Sequence, residues 1–390
     1  MKTDTKLVHL ARNDGSREGG VNLPVHRAST VVYPDVASYL ARFDGERRYT
    51  NVTYGATGTV NARSLETAIA DIEGGAGCVT TSTGLSSITM TLAALLNSGD
   101  HVLMTDSAYG PTRTFCDNVL ARMGIETTYY DPGVGPGIAE LMRPNTALVY
   151  TEAPGSLSFE MQDVPAIAAV ARERNALVVM DNTWATPLHF RPLEHGVDVS
   201  LQAGTKYVAG HGDLVIGMIT SATEELHRRI FDSVHAFGDV ASPDESFLAL
   251  RGLRTMQVRL DRQFASAMAV AGWLEGQPQV KRVLYPPLES DPGHALWARD
   301  YTGGASLFGV EMEAADLAST EAFVEALELF SIGSSWGGYE SLVAVNPMPL
   351  PRSVTTWSGG EYLLRFHIGL ESADDLIEDL KCGLKSCGKS

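Results

Sequence analysis

An α/β fold built on a mostly parallel sheet, followed by a smaller α/β domain, is predicted by three observations on this sequence of 390 residues. Short apolar runs alternate with amphipathic stretches between Ser64 and Gly217. Each run is closed by glycine or polar residues, and after about residue 250 the alternation gives way to one long helical stretch. Strands buried on both faces read as near-continuous apolar runs, and the helices between them cover those faces.

SLETAIADIE (64–73) has helical spacing, GCVTTS (77–82) reads as a strand, SSITMTLAALLNSG (86–99) is helical again, and HVLMTDSAY (101–109) is the next strand. TRTFCDNVLARMG (112–124) predicts a helix, IETTYYD (125–131) and ALVYTEAP (147–154) strands, and VPAIAAVARERN (164–175) a helix. ALVVMDNTW (176–184) and DVSLQAGTKY (198–207) complete the series. FLALRGLRTMQVRLDRQFASAMAVAGWLEG (247–276) predicts one long helix, with mixed strands and helices beyond it. No internal repeat or low-complexity linker interrupts the chain.

Hydrophobic residues make up 44% and charged residues 20%, the balance of a globular chain that folds without staples. A formal net charge of −17 opposes an extended surface for nucleic acid. The cysteines Cys78, Cys116, Cys382 and Cys387 form no CxxC pair, so neither a disulfide framework nor a zinc site is expected. The first residues lack an apolar core of the signal-peptide kind, and no run of about 18 apolar residues occurs. A cytoplasmic protein, neither exported nor membrane-spanning, is the expectation.

In open α/β sheets ligands gather at the carboxyl ends of the strands. Here those ends are Ser82 to Leu85, Asp106 to Tyr109, Glu152 to Ser156, Asp181 to Trp184, and Gly204 to Asp213. Lys206 is either a snorkelling surface side chain or a partly buried amine of lowered pKa, the form a Schiff-base nucleophile needs. Asp181, after the buried run ALVVM, is either a cap or the carboxylate that pairs with a pyridinium nitrogen. Ser82 to Ser87 ends a strand and opens a helix, which suits a phosphate or a simple N-cap. Tyr109 is either packing or a phenol that stacks on a planar cofactor and exchanges a proton. Arg365 interrupts an apolar run, so it meets an internal acid or receives a substrate carboxylate.

With these residues stand VNLPVHRASTVVYP, LETAIADIEGGAG, GDHVLMTDSAYGPT, MDNTWATPLHF, DVSLQAGTKYVAGHGD, RGLRTMQVRL, SWGGYESL and LLRFHIGLESADDLIEDL. By them the chain resembles the Cys/Met-metabolism family of pyridoxal-phosphate enzymes over almost its whole length. The resemblance implies the fold type I, aminotransferase-like architecture. It divides the chain into an N-terminal segment (1–58) that contacts a neighbouring subunit, a cofactor-binding domain (59–255) and a C-terminal domain (256–390), assembled as a homotetramer of dimers.

It also implies that Lys206 carries pyridoxal 5'-phosphate and moves the substrate's α-proton, and that Asp181 pairs with the pyridine nitrogen. Tyr109 would stack on the ring and assist proton transfer, while Gly84 and Leu85 would offer amides and Thr205 a hydroxyl to the phosphate. Arg365 would bind the substrate α-carboxylate, with Ser335 and Trp336 alongside, and Tyr54 would reach the neighbouring subunit's site. No metal is implied. The SWGG form of the loop is typical of the family's β-lyases, which break a carbon–sulfur bond in an amino acid.

Three positions depart from the family pattern. An arginine usual two residues after the tyrosine is replaced in Tyr54-Gly55-Ala56-Thr57; an acidic residue beyond the stacking tyrosine is replaced by Thr114, beside Arg113; and the usual GHSD is GHGD at Gly210 to Asp213. These changes read together as a less charged distal pocket. They keep open a β- or γ-eliminase acting on a smaller amino acid, such as a halogenated unsaturated one, or a γ-replacement synthase.

Overall fold

The computed structural model describes residues 2–11, 19–313, 316–347, 350–356 and 362–386. Its first sheet joins β1 (Gly77–Thr81), β2 (His101–Thr105), β3 (Glu126–Tyr130), β4 (Thr146–Glu152), β5 (Leu177–Asp181), β6 (Val199–Gln202) and β7 (Gly217–Ser221). Their spatial order is β1-β7-β6-β5-β4-β2-β3. The pairs β3/β2, β2/β4, β4/β5 and β5/β6 are parallel, whereas β7 runs antiparallel to both β6 and β1.

Successive residues of a strand face opposite sides, and this sheet is covered on both. Val178 and Met180 of β5 join the core cluster that holds Leu65, Ile69 and Ile72, three residues on one face of the helix Val60–Glu73. Val179, between them, joins the cluster holding Ile88, Leu92 and Leu95 of the helix Gly84–Leu95. Each such side chain, fully buried, stabilises the fold by about 1.5–3 kcal/mol. The first helix stops at Gly74, whose φ of +72° is the left-handed C-cap conformation that glycine adopts most easily.

The structure corrects the element reading twice. The run GMITS (217–221) forms β7, which closes the sheet against β1; it lies beyond the alternation read from sequence. The long helix read over 247–276 is two helices, Pro243–Leu253 and Met256–Glu275. They part because Arg259 Nη2 reaches back to the carbonyls of Gly252 and Tyr207, each at 2.8 Å, so the first helix ends on a side chain of the second.

A second sheet contains β8 (Val280–Leu284), β9 (Leu307–Met312), β10 (Ser331–Ile332), β11 (Leu342–Pro347) and β12 (Tyr362–His367), in the order β10-β11-β12-β9-β8. Only β10 and β11 are parallel within it. The strand β12 lies between β11 and β9 and carries Arg365 opposite Gly309. Among the described residues no helix is long and apolar enough to cross a membrane, and no group of His, Cys, Asp and Glu has the makings of a metal site. Cys78 and Cys116 are buried and Cys382 is exposed, all three unpaired; Cys387 lies outside the described residues.

Candidate active site

The carboxyl ends of β1, β4, β5 and β6 open on a cleft of about 390 Å³, closed from the other side by Leu307, the loop Ser334 to Trp336 and Arg365 of the second sheet. Gly84, Leu85, Tyr109, Asp181, Thr205, Lys206, Ser335, Trp336 and Arg365 all line it. Tyr54 does not; it is 53% exposed elsewhere on the chain.

Lys206 follows β6, and its Nζ donates to Ser335 Oγ at 2.9 Å and stands 5.2 Å from the centre of the Trp336 ring. Burial, helped by the nearby Arg365 charge and opposed by Asp181, brings its amine from 10.5 down to about 8. Desolvation disfavours the charged form of an amine, so this lysine gives up its proton more readily than a solvated one, the condition a Schiff-base nucleophile needs.

Asp181 ends β5, and its Oδ1 accepts both the amide and the hydroxyl of Thr183, at 3.0 and 2.6 Å. This is the capping turn that the sequence left open, and it occupies one oxygen only. Burial raises the carboxyl's pKa although the Thr183 bonds and Lys206 pull the other way. An ionised carboxylate here calls for a cationic or hydrogen-bonding partner on its cleft side.

Tyr109 precedes the helix Gly110–Phe115 and is 44% exposed. Its amide donates to Glu152 Oε2 at 2.8 Å. Burial raises the phenol's pKa, as do Glu152 and Asp181, against the influence of Arg365. Arg365 donates Nη2 to the carbonyl of Ser334 and, at 3.4 Å, to that of Ser335. No ion pair to it is formed among the described residues, so of the two roles read for it the internal acid is absent. Burial lowers its pKa, which leaves a guanidinium short of counter-charge beside the lysine.

Gly84 and Leu85 open a twelve-residue helix, whose first-turn amides have no carbonyl of their own. Thr83 Oγ1 takes the Ser86 amide at 2.9 Å. A side chain at 84 would come within 2.5 Å of Ala203 Cβ, so glycine brings this helix end against the lysine strand. Thr205 Oγ1 accepts from the Ile216 amide at 3.0 Å and donates to its carbonyl at 3.2 Å. That carbonyl also takes the Thr205 amide, so the hydroxyl proton can turn away without orphaning it.

These residues fit pyridoxal phosphate: a neutralisable amine, a carboxylate with a free oxygen, an aromatic ring and a helix N-terminus converge on one cleft.

The three departures from the family pattern fall differently from expectation. Ala56 is exposed in the turn Gly55–Thr57, outside this chain's cleft. Thr114 bonds Gly110 O on the helix surface, and Arg113 turns inward, pairing with Asp106 at 2.9 Å and stacking 3.8 Å from the Tyr129 ring. Neither lines the cleft. Gly212 has φ +69°, a conformation most side chains avoid, which gives the second glycine of GHGD a backbone reason.

Two carboxyls, counted among the strand ends in the sequence but given no role there, take part in the site's surroundings. Glu152 stands in register with Asp181 on the adjacent parallel strand. Asp106 collects the amides of Ser353, Val354 and Thr355 at 2.8–3.0 Å along with Arg113. Burial pushes Asp106 upward, but those donors hold its pKa below the ordinary value. Only their position directly after apolar runs signals them, and the partners lie up to 249 residues away.

A fold with two sheets flanking a lysine-bearing cleft of this kind defines a pyridoxal-phosphate-dependent enzyme. The chain belongs to the Cys/Met metabolism PLP-dependent enzymes, whose family model matches residues 4–385. It is 42% identical over 385 residues to the cystathionine beta-lyase of Bordetella avium (97% of this chain, 96% of that one). To the cystathionine beta-lyase MetC of Escherichia coli it is 39% identical over 395 residues (98% of each chain). A crystal structure of cystathionine gamma synthase from Xanthomonas oryzae, in complex with aminoacrylate and cysteine, superposes with a TM-score of 0.90 at 32% identity (99% of this chain, 98% of that one). By this kinship the chain is a pyridoxal-phosphate-dependent carbon–sulfur lyase; its substrate is a separate question.

Proposed function

We propose that this enzyme is a β-lyase that cleaves cystathionine, with water, to homocysteine, pyruvate and ammonia. The observation that carries this reading is the placement of the Lys206 amine on Ser335, between Asp181 and Arg365 in a single cleft. Kinship to the Bordetella and Escherichia cystathionine beta-lyases supports the substrate.

Pyridoxal phosphate, once bound, supplies an electron sink for the bond pair left at the substrate's α carbon when its proton is removed. Lys206 holds the cofactor and then receives that proton on Nζ, for which an amine near pKa 8 is suited at neutral pH. Asp181 keeps the pyridine nitrogen protonated through its unoccupied oxygen. The amides of Gly84 and Leu85, with the Thr205 hydroxyl, hold the phosphate by hydrogen bonds. Arg365 receives the substrate carboxylate in a low-dielectric site where the pair is strong. Tyr109 covers the ring and hands a proton towards the departing group, while Ser335 and Trp336 fix the lysine and the substrate's near end.

Tyr54 completes a neighbouring subunit's site in a homo-oligomer, a tetramer of paired dimers in the cytoplasm. Its exposure supports this, as do the exposed Val32, Val36, Tyr39, Leu40 and Phe43 on the same N-terminal segment.

A substrate panel with products identified by mass spectrometry tests the reading. Pyruvate and homocysteine from cystathionine are expected. 2-Oxobutyrate with cysteine would instead reveal γ-elimination. An amino-acid product other than homocysteine, in which the fragment that lost its substituent keeps its nitrogen and no keto acid forms, would reveal a replacement synthase or an eliminase of the specialised kind; either overturns the proposal.

A further inference from the structure

The loop that touches Lys206 is held from beneath by a buried imidazole. His367 is 1% exposed, two residues beyond Arg365 on β12. Its Nε2 lies 3.1 Å from Gly338 O, and its Nδ1 lies 3.2 Å from Ser306 Oγ. Ser306 Oγ in turn lies 3.2 Å from the hydroxyl of Tyr207, which accepts the Ser306 amide at 3.0 Å.

The Gly337 amide also points at the ring, 3.2 Å from Nε2 and 3.4 Å from Nδ1. Two arrangements of protons therefore join the ring to the loop: Nε2 donates to Gly338 O while Nδ1 accepts from Ser306, or Nε2 accepts the Gly337 amide while Nδ1 donates to Ser306 Oγ. The imidazole is neutral in both and tied to the same loop. Burial, with the Arg365 and Lys206 charges close by and Gly338 O opposing, brings its pKa down to about 4.

The Gly338 carbonyl belongs to the loop whose Ser335 takes the lysine amine and whose Ser334 and Ser335 carbonyls take Arg365. Between them Gly337, at φ +86°, lies so close to the lysine that a Cβ there would come within 2.8 Å of Lys206 Cα. Trp336 leans on Tyr207 with ring centres 5.3 Å apart. The loop therefore meets the residue after the lysine twice, once through that ring contact and once through Ser306 and His367.

We propose that His367 is a positioning residue: through Ser306 and Tyr207 on one side and Gly338 on the other, it sets the loop that aims both the Lys206 amine and the Arg365 guanidinium. The proposal rests on the lyase reading for what those two groups do, but not for how the loop is held.

The test combines hydrogen exchange of residues 334–339, followed by mass spectrometry on the full-length holoenzyme, with kcat and KM on cystathionine. In His367→Ala, exchange in this loop rises about tenfold or more while the strands β9, β11 and β12 keep their protection. The same variant loses about tenfold in kcat and gains in KM, because lysine and arginine are displaced together. His367→Gln, whose amide can still donate to Gly338 O, restores most of both. Where His367→Ala does not yield soluble protein, Ser306→Ala carries the test and raises loop exchange in the same direction.

Unchanged loop exchange overturns the proposal, as does a rise spread equally over the three strands. Loop exchange reads the same whether or not cystathionine is turned over, so failure of the substrate assignment is recognised separately.

Discussion

Glu152 and Asp181 end neighbouring parallel strands in register, two carboxyls side by side at the sheet's carboxyl edge. Burial, and the charge of Asp181 next to it, push Glu152 well above the ordinary carboxylate range, against the pull of the Tyr109 amide. Two adjacent buried acids do not both ionise, so Glu152 is the one that keeps its proton. Glu152→Gln, which still accepts the Tyr109 amide, is expected to leave kcat and cofactor retention within about twofold. Glu152→Ala, which orphans that amide, costs about 1–3 kcal/mol in stability or cofactor binding. Equal losses in thermal unfolding and cofactor titration of both variants would show an ionised Glu152 instead.

The lowered pKa of Lys206 gives a pH dependence with a definite sign. At pH 7 an amine of pKa about 8 is roughly one-tenth unprotonated, against a few parts in ten thousand for one at 10.5. The rate at which apo-protein recombines with pyridoxal phosphate, followed by its yellow absorbance, should rise with pH and level off above about 8. In Lys206→Ala the yellow species is absent, and turnover falls by about 10²–10⁴-fold or more. A rate still rising at pH 10 would mean that the amine is solvated.

Ala56 lies outside its own chain's cleft, on the exposed turn next to Tyr54. Ala56→Arg is expected to restore a charge-assisted bond to a neighbouring subunit's phosphate, worth roughly 1.5–3 kcal/mol, or about ten- to a hundredfold in cofactor affinity. The gain should vanish on dilution to monomers. Equilibrium dialysis against pyridoxal phosphate at several protein concentrations separates this from an effect within one chain.

Glu73 is wholly buried at the end of the helix Val60–Glu73, and neither of its oxygens makes a hydrogen bond. Burial raises it to about 7, with Ser200 and Gln202 near enough to lower it only in part. A carboxyl raised in the folded state stabilises that state at low pH and loses the contribution as pH climbs through the folded value. Unfolding free energy should therefore fall between about pH 4.5 and 7, from the ordinary carboxyl value to the folded one, by a few kcal/mol at most. Chemical denaturation of Glu73→Gln should show a flatter profile over that window; an identical slope in both proteins would assign the loss to another group.

The residues legible in the sequence share one circumstance. Lys206, Asp181, Tyr109 and the Gly84–Leu85 helix end each follow directly on an apolar run, and a parallel sheet brings such positions to one edge whatever the strand order. Arg365 was legible because its charge interrupts β12. His367 was not, since a histidine in a strand looks the same whether it holds a loop or fills a gap. Its partners Ser306 and Gly338 are contributed by separate segments of the chain. The same distance hid β7, whose five residues acquire meaning only beside β1, well over a hundred positions earlier. Thr114, read with the distal pocket, faces outward because its place on the helix follows from the neighbouring Arg113, which Asp106 draws inward from elsewhere in the chain.

The three amides gathered by Asp106 have a consequence for anyone re-engineering this chain. The connection between β11 and β12 looks like a convenient place for an inserted tag or for new termini, being long and rich in proline, serine and threonine. Residues 353–355 are not spare there, because they clasp a carboxylate three positions ahead of Tyr109. A cut through them would strand a buried acid with Arg113 as its remaining partner and let the tyrosine's strand end drift.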